Sequence, residues 1–124
     1  PVRLAKLLIA CDSGSFQAML RACEAALDEP SILPTQRALA LARRGLVYSR
    51  SHRIDDAARD LAEAIRLDPG RPAYHATYGD VLRKQGRTAE AAAAYRAALA
   101  LDAAPALAGL AALGQAAGAG ASPS

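Results

Sequence analysis

Residues 38–71, ALALARRGLVYSRSHRIDDAARDLAEAIRLDPGR, and residues 72–105, PAYHATYGDVLRKQGRTAEAAAAYRAALALDAAP, superpose at a fixed offset of 34 positions without a gap. Gly45 aligns with Gly79, Tyr48 with Leu82, Ala57 with Ala91, Leu61 with Tyr95, Ala64 with Ala98, and Leu67-Asp68 with Leu101-Asp102. Self-similarity at such a period means that one supersecondary unit recurs and that neighbouring copies bury each other's apolar faces. Within the first copy, Leu41, Gly45 and Tyr48, then Ala57, Leu61 and Ala64, recur at spacings of three and four, so each set lies on one face of a helix. Two such helices joined by a short polar turn make a hairpin. Gly45 and Gly79 fall inside helical pattern, where glycine costs about 1 kcal/mol relative to alanine. Their presence points to a neighbouring backbone too close for a side chain, with Ala57 and Ala91 expected opposite them.

The period and the order of residues within it resemble the tetratricopeptide repeat. That family's pattern is an aromatic, two residues, Leu-Gly, two residues, Tyr, then a later Ala, three residues, Phe, and finally Pro. The first copy reads Leu41, Arg44-Gly45, Tyr48, Ala57, Leu61 and Pro69. The second reads His75, Tyr78-Gly79, Leu82, Ala91 and Tyr95, with Ala103 in the proline slot and Pro105 two residues late. Leu41 and His75 stand where the family has Trp, and Arg44 where it has Leu. The resemblance implies an all-α fold, with antiparallel helix hairpins stacked as a short right-handed solenoid and a C-terminal capping helix. It also implies a protein-protein interaction module or adaptor that takes a peptide or partner protein in a concave groove built by the first helix of each repeat. Carried over residue by residue, the groove positions are Leu39, Ala42, Leu46, Ser49 and Arg50 in one repeat, and Ala73, Ala76, Asp80, Arg83 and Lys84 in the next. Such a groove is apolar toward 39–46 and charged toward 80–84. The family's carboxylate clamp for chaperone tails uses asparagines on these helices, and this chain has no Asn at all. That clamp is absent in its usual form.

Local signals set the expected helix limits at 35–50, 54–67, 72–85 and 89–101. Asp68-Pro69-Gly70-Arg71-Pro72 ends one helix and starts the next, Arg53-Ile54-Asp55 opens another, and Gly86-Arg87-Thr88 makes a turn with Thr88 as the expected cap. Residues 1–29 read as a degenerate repeat. Leu4, Leu7, Leu8 and Cys11 form its first face, Asp12-Ser13-Gly14-Ser15 its turn, and Met19, Cys23 and Ala26 its second face. Leu107, Leu110 and Leu113 place the capping helix at 104–116, which closes a single domain over 1–117, and 118–124 is expected to be a disordered tail.

Of the 124 residues, 52 % are hydrophobic but only 4 % aromatic, so much of the apolar content is alanine and the core is expected to be thin. Its larger anchors are expected at Leu41, Tyr48, Leu61, Tyr78 and Tyr95. The net charge of +3 comes from 15 basic and 12 acidic residues interleaved along the chain, a solvated helical surface rather than a nucleic-acid footprint. No apolar run is long enough for a membrane span. The chain opens at Pro1 without Met, so a preceding segment is expected to have been removed or left out.

No catalytic constellation emerges, and neither metal ligands nor a cofactor are expected. His52 falls in a turn and His75 in a packing slot, and neither has metal-ligand spacing to the cysteines. Gly86-Arg87-Thr88 lacks the upstream glycine and the lysine of a phosphate loop and joins two helices. Cys11 and Cys23 project onto the inner face of the first hairpin, either as two small core thiols or as a disulfide. A similar pair on the first hairpin of exported bacterial members of the family tilts the expected setting toward the periplasm. Beside the adaptor reading stand two others, an Arg-rich nucleic-acid or membrane-surface binder and a regulatory domain excised from a larger enzyme.

Overall fold

The computed structural model describes residues 2–102 and 109–114. In order, the chain forms α1 (Val2–Ala10), α2 (Phe16–Leu27), α3 (Pro34–Arg50), α4 (Ile54–Leu67), α5 (Pro72–Lys84) and α6 (Thr88–Leu101), followed by a helical segment at 109–114. No strand occurs among the described residues. The fold is all-α and built from antiparallel hairpins of the tetratricopeptide type.

The ends of these helices follow from particular residues. Pro34 and Pro72 open α3 and α5, where a fixed φ fits the first turn and the missing N–H has no intrahelical use. Ser15 caps α2 by accepting the Ala18 N–H at 3.2 Å. Asp55 and Asp56 place negative charge in the first turn of α4, and Arg66 places positive charge in its last, both favourable to the helix dipole. Thr88 does not cap α6. It is the first residue of the helix, Arg87 takes the cap position, and no side-chain cap bond forms. Glu90 in the first turn pairs instead with Arg87.

The turns of the two full repeats have the same construction. The Arg53 N–H donates to the Tyr48 carbonyl at 2.8 Å, and the Arg87 N–H, 34 positions on, donates to the Leu82 carbonyl at 2.9 Å. The residue before each arginine donates in turn to Ser49 and to Arg83, giving the paired bonds that close a helix around a left-handed residue. Gly86 fills that left-handed position at φ 79°, whereas the first repeat places His52 there at φ 64°.

The described residues fall into two compact units, one running to Pro69 and one from Gly70 onward. In the first, Leu4 of α1, Ala26 of α2 and Ala40 of α3 share one cluster, flanked by Leu7, Leu8, Leu27 and Ile32. Cys11, Ala22 and Cys23 form a second, and a disulfide joins the two cysteines, whose Cα atoms are 4.8 Å apart. The α3–α4 hairpin buries Leu41, Gly45 and Tyr48 on one side and Ala57, Leu61 and Ala64 on the other. In the second unit, Leu82, Ala91, Ala94, Tyr95 and Leu113 make the core, with Tyr78 and Leu110 half-buried against it. Tyr74, not among the expected anchors, is buried, and Tyr78 is less so.

Gly45 faces the Ala57 backbone as expected, together with Leu61, whereas Gly79 does not face Ala91. A Cβ on Gly45 would lie 3.0 Å from Leu61 Cγ and 3.3 Å from the Ala57 carbonyl oxygen. On Gly79 it would lie 2.5 Å from Tyr95 Cε1, so an aromatic ring and not Ala91 occupies that space. The same ring leaves no room at Gly109, where a Cβ would come within 2.2 Å of it. Tyr95 is thus held between two glycines, one on α5 and one on the closing segment. The remainder of the expected capping helix 104–116 and the expected tail 118–124 lie outside the described residues.

Candidate functional site

The residues that α3 commits to its core determine which it leaves for contact. Ala38, Ala40, Leu41, Ala42, Gly45, Val47, Tyr48 and Ser49 are buried. Opposite Leu41, within an arc of roughly 60° at the helical pitch, Leu39, Arg43 and Leu46 are half-buried and Arg50 is exposed. These four follow one another at spacings of four, three and four. The second unit repeats the pattern on α5 with Ala73, Thr77, Asp80 and Lys84, each 34 positions later. Ala73 and Lys84 are exposed, and Thr77 and Asp80 half-buried.

Of the ten groove positions expected from sequence, Leu39, Leu46 and Arg50 therefore share the open stripe of α3, and Ala73, Asp80 and Lys84 that of α5. Ala42, Ala76 and Ser49 are buried, at 7 %, 7 % and 6 % exposure. Arg83, half-buried, lies beside the α5 stripe with its guanidinium 3.4 Å from Asp80. Arg43 and Thr77 belong to the stripes although neither was expected there. The 34-residue alignment combined with the four-residue step from Leu39 and Ala73 holds the signal for both. Arg43 also pairs with Asp12, just beyond α1, at 2.9 Å.

Each repeat crosses its hairpin with a different polar link. In the first, Arg44 donates from Nε and Nη2 to the two oxygens of Asp60 at 2.7 and 2.9 Å, and Asp60 is only 6 % exposed. These charge-assisted bonds hold the Arg44 guanidinium's pKa above its ordinary value, against the opposing effect of burial. Arg44 and Arg53 both lie over the Tyr48 ring, at 5.6 and 4.2 Å from its centroid. In the second repeat the Tyr95 hydroxyl donates to Asp80. Burial first, and then that bond to a carboxylate, raises the phenol well above its ordinary range. Asp80 therefore has a partner inside its own hairpin and is not a free charge on the α5 stripe.

Among the described residues, no three His, Cys, Asp or Glu side chains converge in a way that could hold a metal ion. His52 is exposed in its turn and His75 is half-buried. No helix among the described residues is long and apolar enough to cross a membrane.

A family model described as tetratricopeptide repeat matches residues 42–108, more than half of the chain. The chain belongs to the tetratricopeptide repeat family. Repeats of this family mediate protein–protein interaction. Among solved structures, a mutant O-GlcNAc transferase from Thermobaculum terrenum is similar, with 29 % sequence identity and a TM-score of 0.81 over 91 % of this chain. The chain spans 22 % of that transferase. No curated protein gives a significant match to the sequence.

Proposed function

We propose that this tetratricopeptide repeat chain is a non-catalytic adaptor that holds a peptide or partner protein on the open faces of its first helices. The stripe Leu39, Arg43, Leu46 and Arg50 supports this reading most directly. It alternates apolar and cationic side chains on a helix whose opposite side is already committed to the core. Apolar surface of this kind gives affinity when covered, and the arginines favour one register and one sign of charge. Ala42, Ser49 and Ala76 are buried in the chain and take no part in this surface.

The test is affinity capture with the full chain and with a Leu46→Glu/Arg50→Glu variant, read by quantitative mass spectrometry. Proteins retained by the parent should be depleted at least several-fold with the variant, while its helical circular dichroism is unchanged. Equal capture of the same partners by both proteins rejects the reading.

A further inference from the structure

Val2 and Ile9 are the most exposed of the large apolar side chains on the described surface, at 69 % and 70 %, and both lie on α1. Helix α1 repeats the register of α3 at an offset of 37 positions: Leu4 corresponds to Leu41 and Cys11 to Tyr48, and all four are buried. By the same offset Val2, Lys6 and Ile9 correspond to Leu39, Arg43 and Leu46. The two helices run side by side in the same direction within one unit. Near the starts of both helices Arg3 pairs with Glu29 and Arg37 donates to the Leu27 carbonyl at 3.4 Å, and Asp12, just beyond the end of α1, pairs with Arg43 in the middle of α3 at 2.9 Å. The exposed stripe of α1 therefore continues the stripe of α3.

We infer that α1 and α3 together form a docking face for an acidic protein segment carrying two apolar side chains about 10 Å apart, the rise of seven helical residues from Val2 to Ile9. This rests on the adaptor reading and extends it to a helix that the repeat alignment had assigned no binding role. Charge selects the occupant. Lys6 and Arg50 form no ion pair with any described carboxylate, and Asp12, the acidic group at this face, is already engaged by Arg43. A second copy docked symmetrically would set this face, where Lys6, Arg43 and Arg50 outnumber Asp12, against another of the same sign. An acidic segment neutralises them while its apolar side chains cover Val2, Ile9, Leu39 and Leu46.

The probe is a displayed library of random peptides selected on the full chain. Enriched peptides are then titrated by fluorescence anisotropy against the parent, Val2→Ser/Ile9→Ser, Lys6→Glu and Leu46→Glu/Arg50→Glu. Enrichment of peptides rich in Asp and Glu with paired apolar residues is expected. Both α1 variants should weaken binding by roughly tenfold or more, and added salt should weaken it further. Helical circular dichroism verifies that these exposed positions leave the fold intact. Absence of enrichment, enrichment of neutral or basic peptides, or parent-like binding by the α1 variants overturns the inference. If only Leu46→Glu/Arg50→Glu loses binding, α1 has no role and the adaptor reading on α3 stands. If no variant loses binding, both fall. Concentration-dependent dimerisation abolished by Val2→Ser/Ile9→Ser also overturns it, by making a second copy the occupant.

Discussion

Single positions in this chain are governed by what lies opposite them. A methyl group on Gly79 meets the Tyr95 ring at 2.5 Å, and the ring cannot retreat because Gly109 bounds it as well. On Gly45 a methyl group meets the buried Leu61 Cγ at 3.0 Å and the Ala57 carbonyl oxygen at 3.3 Å, contacts that a shift of a few tenths of an ångström would relieve. Alanine returns about 1 kcal/mol of helix propensity in either place, so the steric term decides the outcome. Gly79→Ala should destabilise by roughly 1–3 kcal/mol, as overpacked cores do, and Gly45→Ala should fall within about 1 kcal/mol of neutral. Urea unfolding of the two variants gives the comparison, and equal midpoints would sink it. At the turn, His52 holds a left-handed backbone that Gly86 adopts without a Cβ penalty. His52→Gly should therefore raise stability by roughly 0.5–1 kcal/mol, visible as a higher melting temperature. The glycine slots were legible as close approaches, and so was Ala57 opposite Gly45, but the partner of Gly79 was not. Tyr95 replaces Leu61 at the equivalent position, and Asp80 replaces Leu46, so the ring and its hydrogen bond appear only when both substitutions are placed in space.

For the helices, type and limits were legible because proline, Asp-Pro-Gly and the three-four spacing act locally. Expected limits at 35–50, 54–67, 72–85 and 89–101 differ from the observed ends by one residue at most. The cap of α6 was misread because Thr88 and Arg87 both border the turn, and only the backbone decides which of them starts the helix. Helix α1 is the weakest element on physical grounds. It has nine residues, too few to persist alone, and within the helix it buries only Leu4. The Cys11–Cys23 bridge ties its end to α2 across 12 positions of sequence. Reduction should cost roughly 2–4 kcal/mol, by analogy with loops of this length. Hydrogen exchange should show α1 losing protection first while α3 and α4 keep theirs. Uniform loss across all four helices would show instead that the bridge supports the whole unit. Thiol titration of the denatured, unreduced protein should find none free.

Across the whole molecule, the hairpin architecture was readable from one period and the open stripes only in part, because burial separates stripe residues from their immediate neighbours. Arg43 and Arg50 lie on the open face while Ala42 and Ser49, one position away on the helix, do not. The charge balance has a similar structure. Arg53, Arg59, Arg66 and Arg87 each pair with a carboxylate three positions away on the chain. Such pairs add little stability at the surface, but they leave less unpaired positive charge for a polyanion. Anisotropy with random-sequence duplex DNA at physiological salt should detect only weak association; tight binding would revive the nucleic-acid reading. The ring of Tyr95, finally, bears on how these repeats could be exchanged. Counted in steps of 34, Gly109 falls in the slot of Leu41 and His75, and Leu113 in the slot of Gly45 and Gly79. The closing segment thus inverts the bulk of a first helix, small where the others are large and large where they are small. Residues 72–105 cannot be lifted out as an interchangeable cassette, because Tyr95 must travel with the glycine that follows it.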